Sequence, residues 1–261
     1  MEIINRFYHT YESDLNAAME NGLFLQYVEK QDYIIARAAI YQNPRAIKFL
    51  RHQFVDLCIY AVSQNGDLIQ YIHDKKEKIC LSAVKKEGLA LRHIENQTVS
   101  ICLEAVRQNG FALKYVKNQT FEICRKAILA NAQALKYVKN KTKELVNLAL
   151  KRDGLALEWV CDQSDENIFI AISSNPMSIQ FVLNPSEVLC QFAVKKRPYA
   201  IQYIQKPSEQ VWELAISQKP NVIRFLNYYN ESIIKLAISK NPGSIKYIKK
   251  EFLKYEKLIC K

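Results

Sequence analysis

Glycine is scarce in this chain, with 6 residues among 261. Loops that bind phosphate groups through backbone N–H groups need clustered glycines, so we expect no nucleotide-binding loop of that kind. No run of about 18 apolar residues occurs, although a membrane-spanning helix needs one. The N-terminal residues lack a basic region followed by a long apolar core, so we expect no signal peptide. These absences favour an intracellular, cytoplasmic protein without a membrane segment.

Residues that commonly carry catalysis are also poorly represented. Only 4 histidines are present. No set of nucleophile, base and orienting acid stands out along the chain, and neither does a pair of carboxylates. His93 is a lone imidazole, for which packing is a simpler role than catalysis. We therefore predict a protein that is not an enzyme and needs no cofactor.

The chain is dominated by an internal repeat of 22 residues, present eleven times without insertion or deletion. We take as position zero the glycine or proline that usually follows an asparagine. An alanine lies five positions before it in every copy, from Ala17 to Ala237, and a ring lies five positions after it. Position zero is held by Gly22, Pro44, Gly66, Gly88, Gly110, Ala132, Gly154, Pro176, Pro198, Pro220 and Pro242.

Each repeat contains the pattern of two short helices. In repeat five, apolar residues recur at helical spacing within 99–108, which predicts an α-helix with one buried stripe. Ser, Thr, Asp or Asn precedes this helix in most copies, where its oxygen can accept from free N–H groups. Proline at position zero fixes φ near −65°, so a second helix is expected to begin there, capped by the preceding asparagine. We expect it to run from about Gly110 to Lys117 and to bury Leu113 and Val116.

The period predicts an all-α fold: a right-handed α-solenoid of eleven 22-residue helical-hairpin repeats plus a C-terminal capping helix. We expect a single domain over 1–261, with an N-terminal cap at 1–13, the repeats at 14–249 and the capping helix at 250–261. Ser13 and Asp14 replace aliphatic residues of other repeats, so the outer face of repeat one is expected to meet water.

Five of the 7 cysteines occupy one repeat position on the predicted buried face: Cys58, Cys80, Cys102, Cys124 and Cys190. Packed helices lie roughly 8–10 Å apart, too far for equivalent cysteines to form an undistorted disulfide. The same separation argues against a shared metal ion. We interpret these residues as small core side chains in a reducing compartment.

The repeat motif A-V-x-x-N-G-x-A-L-x-Y-V, most complete at 61–72 and 105–116, resembles the helical repeats of the domain of unknown function 4116 family. Similar repeats cover nearly the whole chain, although repeats in that family tend to be slightly longer than 22 residues. The resemblance implies an α-helical repeat array. It implies no activity.

Positive charge is concentrated in the middle of the chain. Residues 74–153 contain 17 basic and 8 acidic residues, a net charge of +9. Basic groups with interleaved rings suit a nucleic-acid backbone with stacked bases. The candidate basic track comprises Lys85, Lys86, Arg92, Arg107, Lys114, Lys117, Arg125, Lys126, Lys136 and Lys139, and the candidate aromatic track comprises Tyr71, His93, Tyr115, Tyr137 and Trp159. Solubility and half-buried packing would explain the same residues, and both interpretations stay open here.

A second feature separates the later repeats from the earlier ones. Six positions before position zero, repeats seven to eleven carry large apolar residues on the flank of the predicted buried stripe. The candidate apolar ridge comprises these residues, Leu148, Ile170, Phe192, Leu214 and Leu236, together with the adjacent Phe169. Such a ridge suits a protein partner or self-association, unless neighbouring repeats cover it.

The leading hypothesis is a non-catalytic protein-interaction scaffold or inhibitor that binds a partner along its extended surface. The alternative is a helical-repeat protein that binds DNA or RNA through the basic middle repeats. We expect no membrane partner. A homo-oligomer formed through the C-terminal repeats is a further possibility that the ridge allows.

Overall fold

The computed structural model describes residues 10–253. Within that range the chain is helical and contains no strand, and a ten-residue α-helix followed by a six-residue 3₁₀ helix recurs eleven times. The predicted all-α helical-repeat solenoid is therefore confirmed. The chain divides into two compact units, unit 1 at Met1–Asn140 and unit 2 at Lys141–Lys261. The single domain over 1–261 and the right-handed sense stay predictions.

Unit 1 contains repeats one to six. Its α-helices are α1 (Tyr11–Glu20), α2 (Tyr33–Gln42), α3 (Val55–Gln64), α4 (Glu77–Lys86), α5 (Val99–Gln108) and α6 (Phe121–Ala130). Its 3₁₀ helices are Gly22–Tyr27, Pro44–Phe49, Gly66–Tyr71, Gly88–His93, Gly110–Tyr115 and Ala132–Tyr137.

Unit 2 contains repeats seven to eleven and a further helix of four residues. Its α-helices are α7 (Lys143–Arg152), α8 (Asp165–Ser174), α9 (Glu187–Lys196), α10 (Glu209–Gln218), α11 (Glu231–Lys240) and α12 (Lys250–Leu253). Its 3₁₀ helices are Gly154–Trp159, Pro176–Phe181, Pro198–Tyr203, Pro220–Phe225 and Pro242–Tyr247. The predicted capping helix begins as expected, and the rest of it, 254–261, lies outside the described residues.

The core of each unit lies between two layers. Each α-helix packs on the α-helix of the next repeat, each 3₁₀ helix packs on the next 3₁₀ helix, and the two layers face each other. In α5 the buried stripe is the predicted one, because Ile101, Cys102, Ala105 and Val106 are all almost fully buried. From Ala39 to Ala237 the alanine column is fully buried, and the carbonyl oxygen of Ala127 approaches Gly110 in the 3₁₀ helix of the preceding repeat.

The second helix of each repeat is not the α-helix that the sequence suggested. In repeat five it is a 3₁₀ helix that ends at Tyr115 rather than Lys117. A 3₁₀ helix has three residues per turn, so residues three apart share one face. Gly110, Leu113 and Val116 are accordingly all buried, while Phe111 and Lys114 are exposed. The spacing of three between the apolar residues Leu113 and Val116 was the feature of the sequence that indicated a 3₁₀ helix.

Position zero takes a small residue in several repeats because the backbone of the next repeat lies close to it, not because its own backbone geometry is unusual. None of the glycines in 10–253 has a positive φ, as the prolines in the column predicted. A Cβ on Gly110 would lie 2.5 Å from the carbonyl oxygen of Ala127 in the next repeat. The preceding Asn109 caps the 3₁₀ helix by accepting from the N–H of Phe111 (3.0 Å), which confirms the predicted asparagine cap.

Glutamine side chains join consecutive repeats at five of the loops that follow the 3₁₀ helices. Each Nε2 donates to the carbonyl of the ring residue in the next repeat (2.7–3.1 Å). Each Oε1 accepts from the N–H two residues after that ring (2.9–3.0 Å). We call these residues the glutamine ladder: Gln31, Gln53, Gln97, Gln119 and Gln163. Its bonds between repeats were not predicted from the sequence.

Two expectations at the start of α-helices need correction. Asp14 is buried, with 6% of its surface exposed, so only Ser13 of that pair meets water. Ser13 and Thr10 form a capping box at the start of α1. Ser164 precedes α8 but its side chain caps no N–H, and its hydroxyl donates to Asp162 (3.3 Å).

Candidate interaction surfaces

The ten residues of the candidate basic track all lie in unit 1, but on different surfaces. Arg92, Lys114 and Lys136 lie on the 3₁₀ layer, at the position before the ring. Lys117 and Lys139 lie in the loops that follow. The other five belong to the α-helical layer: Lys85, Lys86, Arg107, Arg125 and Lys126. The structure therefore splits the predicted track into two parts.

Four of these basic residues are paired with carboxylates. Arg92 forms an ion pair with Asp67 of the preceding repeat. Arg107 forms one with Glu104 (2.6 Å), and Arg125 and Lys126 both contact Glu122 (3.8 and 3.7 Å). The hydrogen bond from Arg107 lowers the pKa of the Glu104 carboxyl below its ordinary value. These pairs reduce the positive charge that a partner would meet on α5 and α6.

The remaining lysines of the 3₁₀ side form what we call the lysine patch: Lys114, Lys117, Lys136 and Lys139. The ammonium of Lys114 lies 5.5 Å from the ring centre of Tyr115, and that of Lys136 lies 5.9 Å from the ring centre of Tyr137. The ammonium of Lys117 donates to the carbonyl of Glu95 (3.0 Å), and that of Lys139 donates to the carbonyl of Lys117 (3.0 Å). In the described part of the chain, Lys114, Lys117 and Lys139 form no ion pair with a carboxylate, so their charge is uncompensated.

The aromatic track runs along the 3₁₀ layer of unit 1 as far as Tyr137, while Trp159 belongs to unit 2. Tyr115 and Tyr137 are half-buried, and each has a lysine over its ring. Phe111, which the sequence analysis did not select, is 38% exposed and meets the edge of Tyr137 at 6.1 Å. The same cation-over-ring contact recurs at Lys48 with Phe49, so it belongs to the repeat rather than to one site.

His93 is a packing residue in a polar cluster. Its Nε2 accepts from Arg92 Nε (2.9 Å) and lies 3.9 Å from Asp67 Oδ1. Burial, and then repulsion by Arg92, lower the pKa of His93 below its ordinary value, although Asp67 acts in the opposite direction. A neutral imidazole that already accepts from a guanidinium is poorly placed to remove a proton from a substrate.

The apolar ridge lies on the α-helices of unit 2, beside their buried stripe. The ring of Phe169 is 54% exposed and stacks on Phe192 at 5.0 Å between ring centres. The other five ridge residues are half-buried: Leu148, Ile170, Phe192, Leu214 and Leu236. Neighbouring helices therefore cover part of this surface, and Phe169 remains its most accessible ring.

The cysteines are placed as the sequence predicted. Cys58, Cys80, Cys102, Cys124 and Cys190 are buried and unpaired, and Cys161 is exposed. Burial raises the pKa of the Cys58 thiol to about 11, which keeps it protonated and unreactive at neutral pH. Between residues 10 and 253, no group of three His, Cys, Asp or Glu side chains is arranged to hold a metal ion. No helix in the same range has the length and apolar character that crossing a bilayer requires.

Comparison with known proteins identifies the repeat and nothing beyond it. Residues 76–121 match the family model described as Domain of unknown function (DUF4116). That stretch spans α4, α5 and the 3₁₀ helix after each, so the resemblance inferred from the motif is confirmed there. No curated protein and no solved structure matches the chain. The match supports the repeat architecture and carries no activity.

Proposed function

We propose that this protein is a non-catalytic scaffold that binds a protein partner through the apolar ridge of unit 2. The observation that carries the proposal is the exposed ring of Phe169 stacked on Phe192, within a row of half-buried aliphatic side chains. Exposed apolar groups gathered in one patch favour a protein contact. Aromatic residues also contribute a disproportionate share of binding energy at interfaces.

The charges beside the ridge indicate the chemistry of the partner. Exposed basic residues lie at the C-terminal ends of α7 and α9: Lys151, Arg152, Lys195 and Lys196. The ammonium of Lys196 lies 5.3 Å from the ring centre of Phe192. A partner helix with an apolar stripe and acidic residues along one side would complement this surface.

The test is photo-crosslinking from the exposed ridge position. A photoreactive phenylalanine analogue at Phe169 should crosslink to one protein in an extract of the source cells. The same analogue at Val99, an exposed position of unit 1, is the matched control. Adding Phe192→Asp and Leu214→Asp should abolish the crosslink and leave the far-UV circular dichroism unchanged. A crosslink that persists in a folded double variant would refute the ridge as the site.

Nucleic-acid binding through the lysine patch is the second candidate. It is favoured by three lysines of consecutive repeats that form no ion pair with a carboxylate and lie beside Tyr115 and Tyr137. Phosphates would replace the weak carbonyl contacts of the lysines, and unpaired bases could stack on the rings. Each single-strand phosphate contact contributes about 0.7 to the slope of log affinity against log salt, so four contacts give a slope near 3.

Fluorescence anisotropy with labelled single- and double-stranded DNA and RNA tests this second candidate across a range of salt concentrations. Reversal of all four patch lysines to glutamate should abolish binding. Reversal of Lys85, Lys86, Lys195 and Lys196 changes the net charge equally on the α-helical layer and should have little effect. Equal losses in the two variants would show that only overall charge matters.

A further inference from the structure

The glutamine ladder shows that this fold contains a recurring recognition site for a carboxamide. The backbone between the ring residue and the residue two positions later is extended, as at Val182 (φ −84°, ψ 124°). It therefore presents one carbonyl and one N–H to the preceding loop. The side chain of Gln163 pairs with both, through the carbonyl of Phe181 (2.7 Å) and the N–H of Leu183 (3.0 Å).

One repeat further along the chain, the backbone presents the same two groups but no glutamine pairs with them. Pro185 occupies the ladder position, and the matching groups are the carbonyl of Tyr203 and the N–H of Gln205. Ile204 between them is extended, with φ −91° and ψ 118°. In the part of the chain that the structure describes, neither group is hydrogen-bonded to protein. The backbone carbonyl and N–H that correspond to those paired with Gln163 thus both lack a protein partner at Tyr203 and Gln205.

A groove lies in front of these two groups. Its volume is about 610 Å³, and its lining includes Pro185, Glu187, Cys190, Tyr203 and Gln205. Glu187 is held at the edge by a hydrogen bond from the hydroxyl of Ser208 (2.6 Å). The thiol of Cys190 lies 3.9 Å from the carbonyl of Pro185, whereas the thiols of Cys102 and Cys124 face the Oε1 atoms of Gln97 and Gln119 (3.8 and 3.7 Å). The groove is therefore lined as a ladder site is, but is open to an external side chain.

The geometry points to this groove as a binding site for the side-chain carboxamide of a glutamine on a partner polypeptide. A carboxamide supplies two donors and an acceptor on one planar group, which is what the Tyr203 carbonyl and the Gln205 N–H require. The chain's own glutamines make this pair of bonds five times. None of the residues that line the groove belongs to the ridge, so the proposal does not depend on the ridge as the partner's site.

The experiment follows the backbone amide signals of the ¹⁵N-labelled full chain during titration with N-acetylglutamine N-methylamide. The amide signal of Gln205 should shift and saturate in the millimolar range, as expected for a ligand with few contacts. The matched probe is N-acetylmethionine N-methylamide, which has similar length and no carboxamide. An equal shift with the methionine probe, or no shift of Gln205 with either probe, would overturn the proposal.

Two reciprocal variants locate the response. Pro185→Gln should fill the groove with the chain's own side chain, abolish the shift and slow hydrogen exchange of the Gln205 amide by roughly tenfold. Gln163→Pro should create a new response at the Leu183 amide. A Gln205 signal that still shifts fully in Pro185→Gln, although its exchange is slowed, would place the probe elsewhere. The result is also separable from the ridge proposal, since Phe192→Asp should leave the titration unchanged.

Discussion

Gln119 and Tyr137 are joined across two repeats, because the Gln119 side chain donates to the Tyr137 carbonyl at 2.9 Å. The same side chain accepts from the N–H of Lys139 at 3.0 Å. Each such bond contributes about 0.5–1.5 kcal/mol, so we expect Gln119→Ala to lower the free energy of unfolding by about 1–3 kcal/mol. Urea denaturation followed by circular dichroism measures this change.

Gln70→Ala is the matched control for that prediction. Gln70 is exposed and bonds only to the carbonyl of Asp67 within its own 3₁₀ helix (3.1 Å). Its removal should change stability by less than about 0.5 kcal/mol, as surface substitutions usually do. Equal effects of the two substitutions would mean that the ladder does not stabilise the contact between repeats.

Gly154→Ala tests the close approach at position zero. A Cβ at Gly154 would lie 1.9 Å from the carbonyl oxygen of Ala171. Backbone cannot move aside as a flexible side chain can, so we expect a loss of about 1–3 kcal/mol from overpacking. At Gly243, in the same unit, the nearest atom to a Cβ is Asn241 Oδ1 at 3.2 Å. Gly243→Ala should therefore be nearly neutral in the same denaturation experiment, and a similar loss at both sites would argue against a steric cause.

The fold could be predicted from the sequence because its determinants recur in register. The alanine and cysteine columns identify the buried stripe of the α-helices before any contact is known, and burial of Ala105 and Cys102 follows from them. The 3₁₀ geometry was missed, since Leu113 and Val116 are three residues apart and an α-helix tolerates that spacing. The burial of Asp14 was not predicted either. Other repeats carry apolar residues at this position, so the polar Asp14 was expected to face water.

The candidate surfaces were less predictable, because they depend on contacts between repeats. Asp67 and Arg92 are 25 residues apart and pair only when consecutive 3₁₀ helices pack. Ladder glutamines occur in half of the steps, so the column looks like an ordinary polar loop position. The ridge residues were correctly placed on a flank, but their partial burial depends on how closely the next α-helix packs.

Two serines at the same repeat position provide another prediction, because Ser208 caps the start of α10 and Ser164 does not cap α8. Ser208 accepts from the N–H of Val211 (3.2 Å) and donates to Glu187 (2.6 Å), so Ser208→Ala should cost about 1–2 kcal/mol. Ser164 holds the equivalent position but caps no N–H, and Ser164→Ala should cost less than about 0.5 kcal/mol. Thermal denaturation of both variants compares the same substitution at the same repeat position. Equal destabilisation would indicate that these caps do not determine helix stability here.

His93 should make the stability of the fold depend on pH. Burial and Arg92 lower its pKa in the folded protein below the ordinary value of 6.5, so the unfolded chain binds a proton that the folded chain resists. Stability from this group is therefore present above pH 6.5 and is lost as the pH falls from 6.5 through the lower pKa of the folded state.

His93→Tyr removes this titration while keeping a ring in the column, as Tyr71 and Tyr115 do naturally. Urea denaturation at about pH 8 and about pH 5.5 should show a smaller loss of stability on acidification in the variant than in the parent chain. The other histidines are present in both proteins, so their contributions cancel in the comparison. An identical pH dependence would show that Asp67 compensates fully for burial and for Arg92.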